Sequence, residues 1–241
     1  FRRVLFRSLE YILRAKKYKK IYIPYLNSEV IWEPIKKLGI ESEFYSVDSR
    51  LNPIFDKELK EDEVFFYSDT YGIKCCTVLQ LVEKFGKQLI VDNTHAFFSK
   101  PYEGIDTIYS PRKFFGLPDG AYLYTDTFLN EELELDFSIP HMTHLMKRIE
   151  YGNASAAYQD YLDYCASLVG QPIKRMSNLA SALLSNIDYE NLKERQIKNF
   201  NYLHSVLGKD NKFEYDNFPS DTCPLSYMFY SEDRDLRKKL I

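Results

Sequence analysis

Short β-rich runs alternate with helical ones through the first half of the chain, and this alternation restricts the fold more than any other feature. Residues 21–25, 43–47 and 64–68 read as strands, and so does the apolar run Leu89-Ile90-Val91. Between them, 30–38 reads as a helix ended by Gly39, and about 74–85 as a helix ended by Gly86. Glycine takes the left-handed backbone that follows many helix ends. Strands separated by helices return by crossovers to a mostly parallel sheet, so the expected class is α/β, three layers, with helices flanking the sheet.

The chemistry concentrates between residues 88 and 126. The run Leu89-Ile90-Val91 stops on Asp92, an acid delivered at the C-terminal end of a buried strand, and His95 follows shortly after. A second β-rich run, 105–109, ends in Ser110-Pro111-Arg112-Lys113, where proline turns the chain beside a lysine. A third, 121–125, follows the Asp119-Gly120 turn. Open α/β sheets bind ligands outside the carboxyl ends of their strands, which brings Asp92 and Lys113 to one place. A lysine amine and a carboxylate are what pyridoxal phosphate (PLP) requires, the first to form a Schiff base with its aldehyde and the second to keep its ring nitrogen protonated. Taken singly, each residue has a plainer reading. An aspartate at a strand end caps a helix or forms a turn, a turn lysine is solvated, and His95 is a satisfied core imidazole.

In combination these segments resemble the DegT/StrS-type sugar aminotransferases, a branch of the fold type I PLP-dependent enzymes. The resemblance is carried by Asp92-Asn93-Thr94-His95, Pro111-Arg112-Lys113 and Asp119-Gly120, and it extends to the strand order and to Tyr71-Gly72, where the family has an aromatic-glycine turn. It implies a PLP-binding large domain over residues 9–139, followed by connector helices and the start of a small C-terminal domain over 140–241. Lys113 would be the catalytic Schiff-base lysine and Asp92 the partner of the ring nitrogen. His95 would meet the ring's phenolic oxygen. Ser110, three residues before Lys113, matches the phosphate-binding serine of aspartate-type aminotransferases, whereas the sugar branch places its serine where this chain has Ile108. Arg175, in a segment similar to the family's Gly-Tyr-Asn-x-Arg-Met-Ser, would offer a fork to an anion, although Ile173 replaces the asparagine. Where the family stacks an aromatic on the cofactor, this chain offers Asn27 or Ser28, with Tyr25 and Trp32 out of register. The implied reaction moves an amino group from an amino acid donor such as glutamate to a keto-sugar, nucleotide-linked, within a homodimer. The family's phosphate-binding turn would lie upstream of the helix that begins at Leu9, with Ser8 as its N-cap. Residues 1–8 are expected to stand apart as a broken edge, and the chain is expected to be truncated at both ends.

At 241 residues the chain can bury a full core. Its 32 Lys+Arg against 35 Asp+Glu give a net charge of -3, which points away from nucleic acid and anionic membranes and toward a small-molecule partner. No apolar run reaches the roughly 18 residues of a membrane span. Cys75, Cys76, Cys165 and Cys223 form no C-x-x-C pair and no metal-spaced cluster with histidines, so they read as free thiols of a cytoplasmic protein.

Beyond Pro140 long helical stretches are expected at about 143–168, 176–186 and 189–207, then strands at 212–215 and 225–230. The helix 189–207 would place Leu192, Gln196, Asn199, Leu203 and Val206 near one face. Two rival functions use the same residues: another PLP reaction such as elimination, and a non-catalytic binding or scaffold role on a PLP-type fold.

Overall fold

The computed structural model describes residues 5–233, 235 and 236. Seven strands form one sheet: β1 (Lys20–Pro24), β2 (Glu41–Val47), β3 (Pro53–Ile54), β4 (Glu63–Ser68), β5 (Leu89–Asp92), β6 (Asp106–Tyr109) and β7 (Tyr122–Tyr124). Their order across the sheet is β3-β2-β1-β4-β5-β6-β7. The five central strands are parallel, while β3 and β7 are antiparallel edges. The order reverses at β1, which sends its chain first outward to β2 and then across to β4, so the crevice between β1 and β4 is a topological switch point.

Alternation along the strands builds two cores. Ile21, Ile23, Val64, Phe66, Ile90 and Ile108 face α1 (Leu5–Lys16) and α2 (Trp32–Leu38), where they meet Leu9, Ile12, Leu13 and Ile35. Tyr22, Phe65, Tyr67, Leu89 and Val91 point to the other face, against Val78 and Leu81 of α3 (Cys75–Phe85). Gly39 ends α2 at φ 65° and Gly86 ends α3 at φ 50°, the two stops read from the sequence.

The N-terminal expectation is corrected. Residues 1–4 lie outside the described residues, but α1 begins at Leu5, so Ser8 is inside the helix and does not cap it. Arg7 is 1% exposed: it pairs with Glu10 and Glu33 and donates to the carbonyl of Leu168, which costs nothing in unsatisfied charge and anchors α1 to later segments.

The long stretch expected at 143–168 is two helices, α4 (Thr143–Glu150) and α5 (Tyr158–Ser167). Gly152 at φ 64° breaks the run, and Asn153 Oδ1 accepts from the amide of Ala156 to restart it. α6 (Asn178–Ser185) opens on a true N-cap, Ser177 Oγ accepting from Ala180 N–H. α7 (Tyr189–Leu207) has the bounds read from the sequence but a rotated inner face. Phe200 is buried and Gln196 donates to the carbonyls of Pro224 and Leu225, whereas Val206 is exposed. The expected strands at 212–215 and 225–230 do not form. One backbone bond, Lys212 N–H to Tyr230 O, joins the two segments, and the side chains of Asn211 and Tyr215 satisfy the rest, so no ladder is needed. All four cysteines are free, and no helix among the described residues is long and apolar enough to cross a membrane.

Candidate active site

The C-terminal ends of β1, β4, β5 and β6 converge on a cavity of about 420 Å³. Each strand contributes residues at or just past its end: Leu26, Asn27 and Ser28 after β1, Ser68 to Tyr71 around the end of β4, Asp92, Thr94 and His95 from the end of β5, and Ser110, Arg112 and Lys113 after β6. Tyr161, Cys165 and Leu168, spaced one helical turn apart on and just past α5, close the remaining wall. The structure therefore places Asp92, His95, Ser110 and Lys113 on one cavity.

Asp92 is 6% exposed. Its Oδ1 accepts from the amide of Thr94 at 2.9 Å and its Oδ2 from the hydroxyl of Ser68 at 3.0 Å. Burial pushes this carboxyl up, while the Thr94 bonds and the neighbouring His95 work against that rise. The acid is thus held by two hydrogen bonds at the edge of the cavity.

His95 accepts at Nδ1 from the amide of Tyr71 at 3.3 Å, and its ring stacks on that of Tyr71. The accepted bond assigns the proton of the neutral ring to Nε2. Burial, and after it the charge of Lys113, lower this imidazole, opposed by Asp92. With Nδ1 accepting, the neutral ring presents its Nε2–H as a free donor group.

Lys113 follows Pro111 in a 3-10 turn whose amide bonds return to Ser110. The residue is exposed through the open cavity, yet enough protein surrounds its amine to lower its pKa, and the adjacent Arg112 lowers it further. No carboxylate forms an ion pair with it among the described residues, so the neutral, nucleophilic amine is favoured more than in a surface lysine.

The sequence reading missed a second acid. Asp69, 1% exposed at the end of β4, lines the same cavity and accepts from the amide of Lys74 at 2.7 Å, and burial raises it to about 7. Its position at the end of the strand beside β5 was the available signal. Tyr161 and Cys165 gave none, because helical periodicity does not say which partner a face meets.

Gly72 makes the turn between Asp69 and α3 possible. Tyr71 and Gly72 both have left-handed backbones, at φ 62° and 72°, and a Cβ on Gly72 would lie 2.4 Å from the carbonyl oxygen of His95. Gly72→Ala is therefore expected to cost about 2 kcal/mol or more, from backbone strain plus displacement of His95. A urea midpoint equal to wild type would show that the turn relaxes without penalty.

Two other motif segments have structural employment. Asp119 is fully buried and accepts from the hydroxyl of Ser138, which is bonded in turn to Ser177, while His141 Nδ1 lies 3.2 Å from the same carboxylate. A Cβ on Gly120 would sit 3.1 Å from Met176 Cε. The acid-glycine pair thus seats the Met176-Ser177 start of α6. Arg175 lies outside the cavity: its Nε donates to the carbonyl of Leu133 at 2.9 Å, and its backbone pairs with Glu134 and Asp136. Ile173 is buried, and Tyr25 stacks on Phe44, leaving Asn27 and Ser28 at the cavity.

No family model matches the chain, and no curated protein matches it in sequence. Solved structures do. A protein named as a sugar aminotransferase from Streptococcus pneumoniae, in its PMP form, is 15% identical with a TM-score of 0.63, over 99% of this chain and 69% of that one. A DegT/DnrJ/EryC1/StrS aminotransferase from Brucella abortus is 14% identical with a TM-score of 0.53, over 100% of this chain and 68% of that one. A match to an aminotransferase structure from Burkholderia pseudomallei, at 12% identity and a TM-score of 0.36, spans 45% of this chain and only 38% of that chain's length. Along essentially its whole length the chain has the fold of the pneumococcal and Brucella aminotransferase structures.

Proposed function

We propose that the cavity binds pyridoxal phosphate and that the protein is an aminotransferase. The observation that carries this reading is the placement of Asp92 and Lys113, at the ends of the adjacent parallel strands β5 and β6, on one cavity. The donor set fits the cofactor: an acid held by Thr94 and Ser68, an amine without a paired carboxylate, and a neutral imidazole donor. Asn27, on the same cavity, keeps a buried Nδ2 without a hydrogen-bond partner, one more donor for an oxygen-rich ligand. Both fold neighbours are named as aminotransferases, one of them in its PMP form.

When bound, the cofactor supplies an electron sink for a substrate carbanion. In this reading Lys113 Nζ would hold the cofactor until the amino donor takes its place, and would then take a proton from the donor's α-carbon as general base and return it as general acid. Its lowered pKa suits both steps. Asp92 would hold the ring nitrogen protonated, His95 would donate from Nε2 to the phenolic oxygen, and Ser110 would contribute to the phosphate site. The acceptor is a keto-sugar, nucleotide-linked as in the family the sequence resembles, and the donor an amino acid such as glutamate. A homodimer fits the exposed apolar side chains Phe128, Phe137 and Ile139, which a second copy would cover. The free thiols accord with a reducing cytoplasm.

The test adds PLP, reduces with borohydride and maps the labelled peptide. Label on Lys113 and conversion of glutamate to its 2-oxo acid, with matching amination of a keto-sugar, is the expected result. Sedimentation of the same sample reads the assembly, and a monomer would remove the dimer. Label elsewhere than Lys113, or none, would overturn the cofactor site. Ammonia release from an amino acid that carries a β-leaving group, without aminated product, would favour elimination.

A further inference from the structure

A second groove, of about 520 Å³, opens on the other side of the Pro111–Lys113 turn, between that turn and the α4–α5 hairpin. It shares Arg112, Lys113 and Tyr161 with the cavity and adds His144 and Arg148 from α4. Arg112 is half-buried. Its Nη1 donates to the hydroxyl of Tyr164 at 2.8 Å and its guanidinium lies 5.6 Å from the centre of that ring, contacts that fix the side chain without neutralising it. Among the described residues no carboxylate pairs with Arg112, Lys113 or Arg148. The neighbouring cation of α4, Lys147, is paired with Asp160 and does not line the groove.

The two arginine charges also converge on one point. His144 is 4% exposed and stacks on Tyr164, and its imidazole is lowered by burial and then by the charges of Arg112 and of Arg148. His144 and Arg148 stand one turn apart on the same face of α4. Two guanidiniums facing one groove whose lining holds no carboxylate among the described residues raise the local potential, and their charge-assisted bonds to an anion are stronger than neutral ones.

We propose that this groove binds an anionic group, phosphate or carboxylate, through Arg112 and Arg148. The site goes beyond the cofactor reading and does not depend on it, because Arg148 and His144 do not line the cavity that holds Asp92. An anion seated there lies against Lys113, so the group belongs to a ligand that reaches past the lysine.

Isothermal titration of the full 241-residue chain with inorganic pyrophosphate, and separately with glutarate, tests the proposal without any enzymatic readout. The expected result is saturable binding of at least one of them, weakened by added potassium chloride and about tenfold weaker in Arg148→Gln, the loss of one charge-assisted contact. Pyrophosphate alone would identify a phosphorylated ligand, and glutarate a carboxylate one. Arg148 is exposed, so its replacement leaves folding intact. Arg112→Gln, checked by thermal melting, should weaken binding as well, and Arg50→Gln, remote and paired with Glu214, should not. Absence of saturable binding of either anion, or wild-type affinity in Arg148→Gln, would overturn the site, whatever the outcome of cofactor labelling.

Discussion

Lys113→Ala is expected to abolish borohydride-stable attachment of PLP and to reduce turnover by at least about 10³-fold, since the variant loses both the covalent hold and the proton carrier, and general acid-base help alone is worth up to about 10⁴. The fold should survive. Lys113 is exposed, forms no ion pair among the described residues, and sits in a turn shaped by Pro111 and by backbone bonds to Ser110 rather than by its own side chain. Thermal melting and mass mapping of the reduced protein check both halves. A variant that still yields a reducible adduct within the cavity would show that another amine carries the cofactor, and the chemistry assigned here would have to move with it.

Asp92→Asn should keep the cofactor bound and the chain folded, yet lower turnover by about 10²- to 10⁴-fold, the range of an acid-base contribution. The amide oxygen can still accept from Thr94 N–H, and the hydroxyl of Ser68 can turn to accept from the amide nitrogen, so the buried position stays satisfied. What disappears is the negative charge that the proposed reading sets opposite the ring nitrogen. Absorbance titration with PLP against the steady-state rate separates the two: retained binding with full turnover would remove the acid from the mechanism. Asp69, the other carboxyl on the cavity, remains in this variant, so any residual activity measures how far it substitutes.

The parallel architecture was legible because strand and helix periods differ and because glycines stop α2 and α3 where the pattern stops. Asp92 and Lys113 were legible for a related reason: each ends or closely follows a strand, and parallel strands deliver their C-terminal residues to one edge. The N-terminal segment was misread because Arg7 looks like a surface residue in sequence, and only its pairing with Glu10 and Glu33 permits its burial. The strands expected at 212–215 and 225–230 failed for the opposite reason, as local side-chain bonds from Asn211 and Tyr215 replaced a ladder. Arg175 joined the candidate list by motif, but its fork engages a backbone carbonyl near the edge of the chain's second half.

By itself the sequence determined the α/β class, the order of its elements as far as β7 except the two-residue edge strand β3, and the identity of an acid and a lysine at neighbouring strand ends, since all of these follow from local periodicity and chain direction. Tertiary structure alone decided that β4 lies between β1 and β5, which brings Ser68 and Asp69 to the cavity, and that α5 supplies Tyr161 and Cys165 as its wall. It also decided that Arg112 and Arg148 face one groove without a counter-charge. Those features depend on which surfaces meet across long sequence separations, and the choice is made by packing and by pairing of buried charge, which no local pattern encodes.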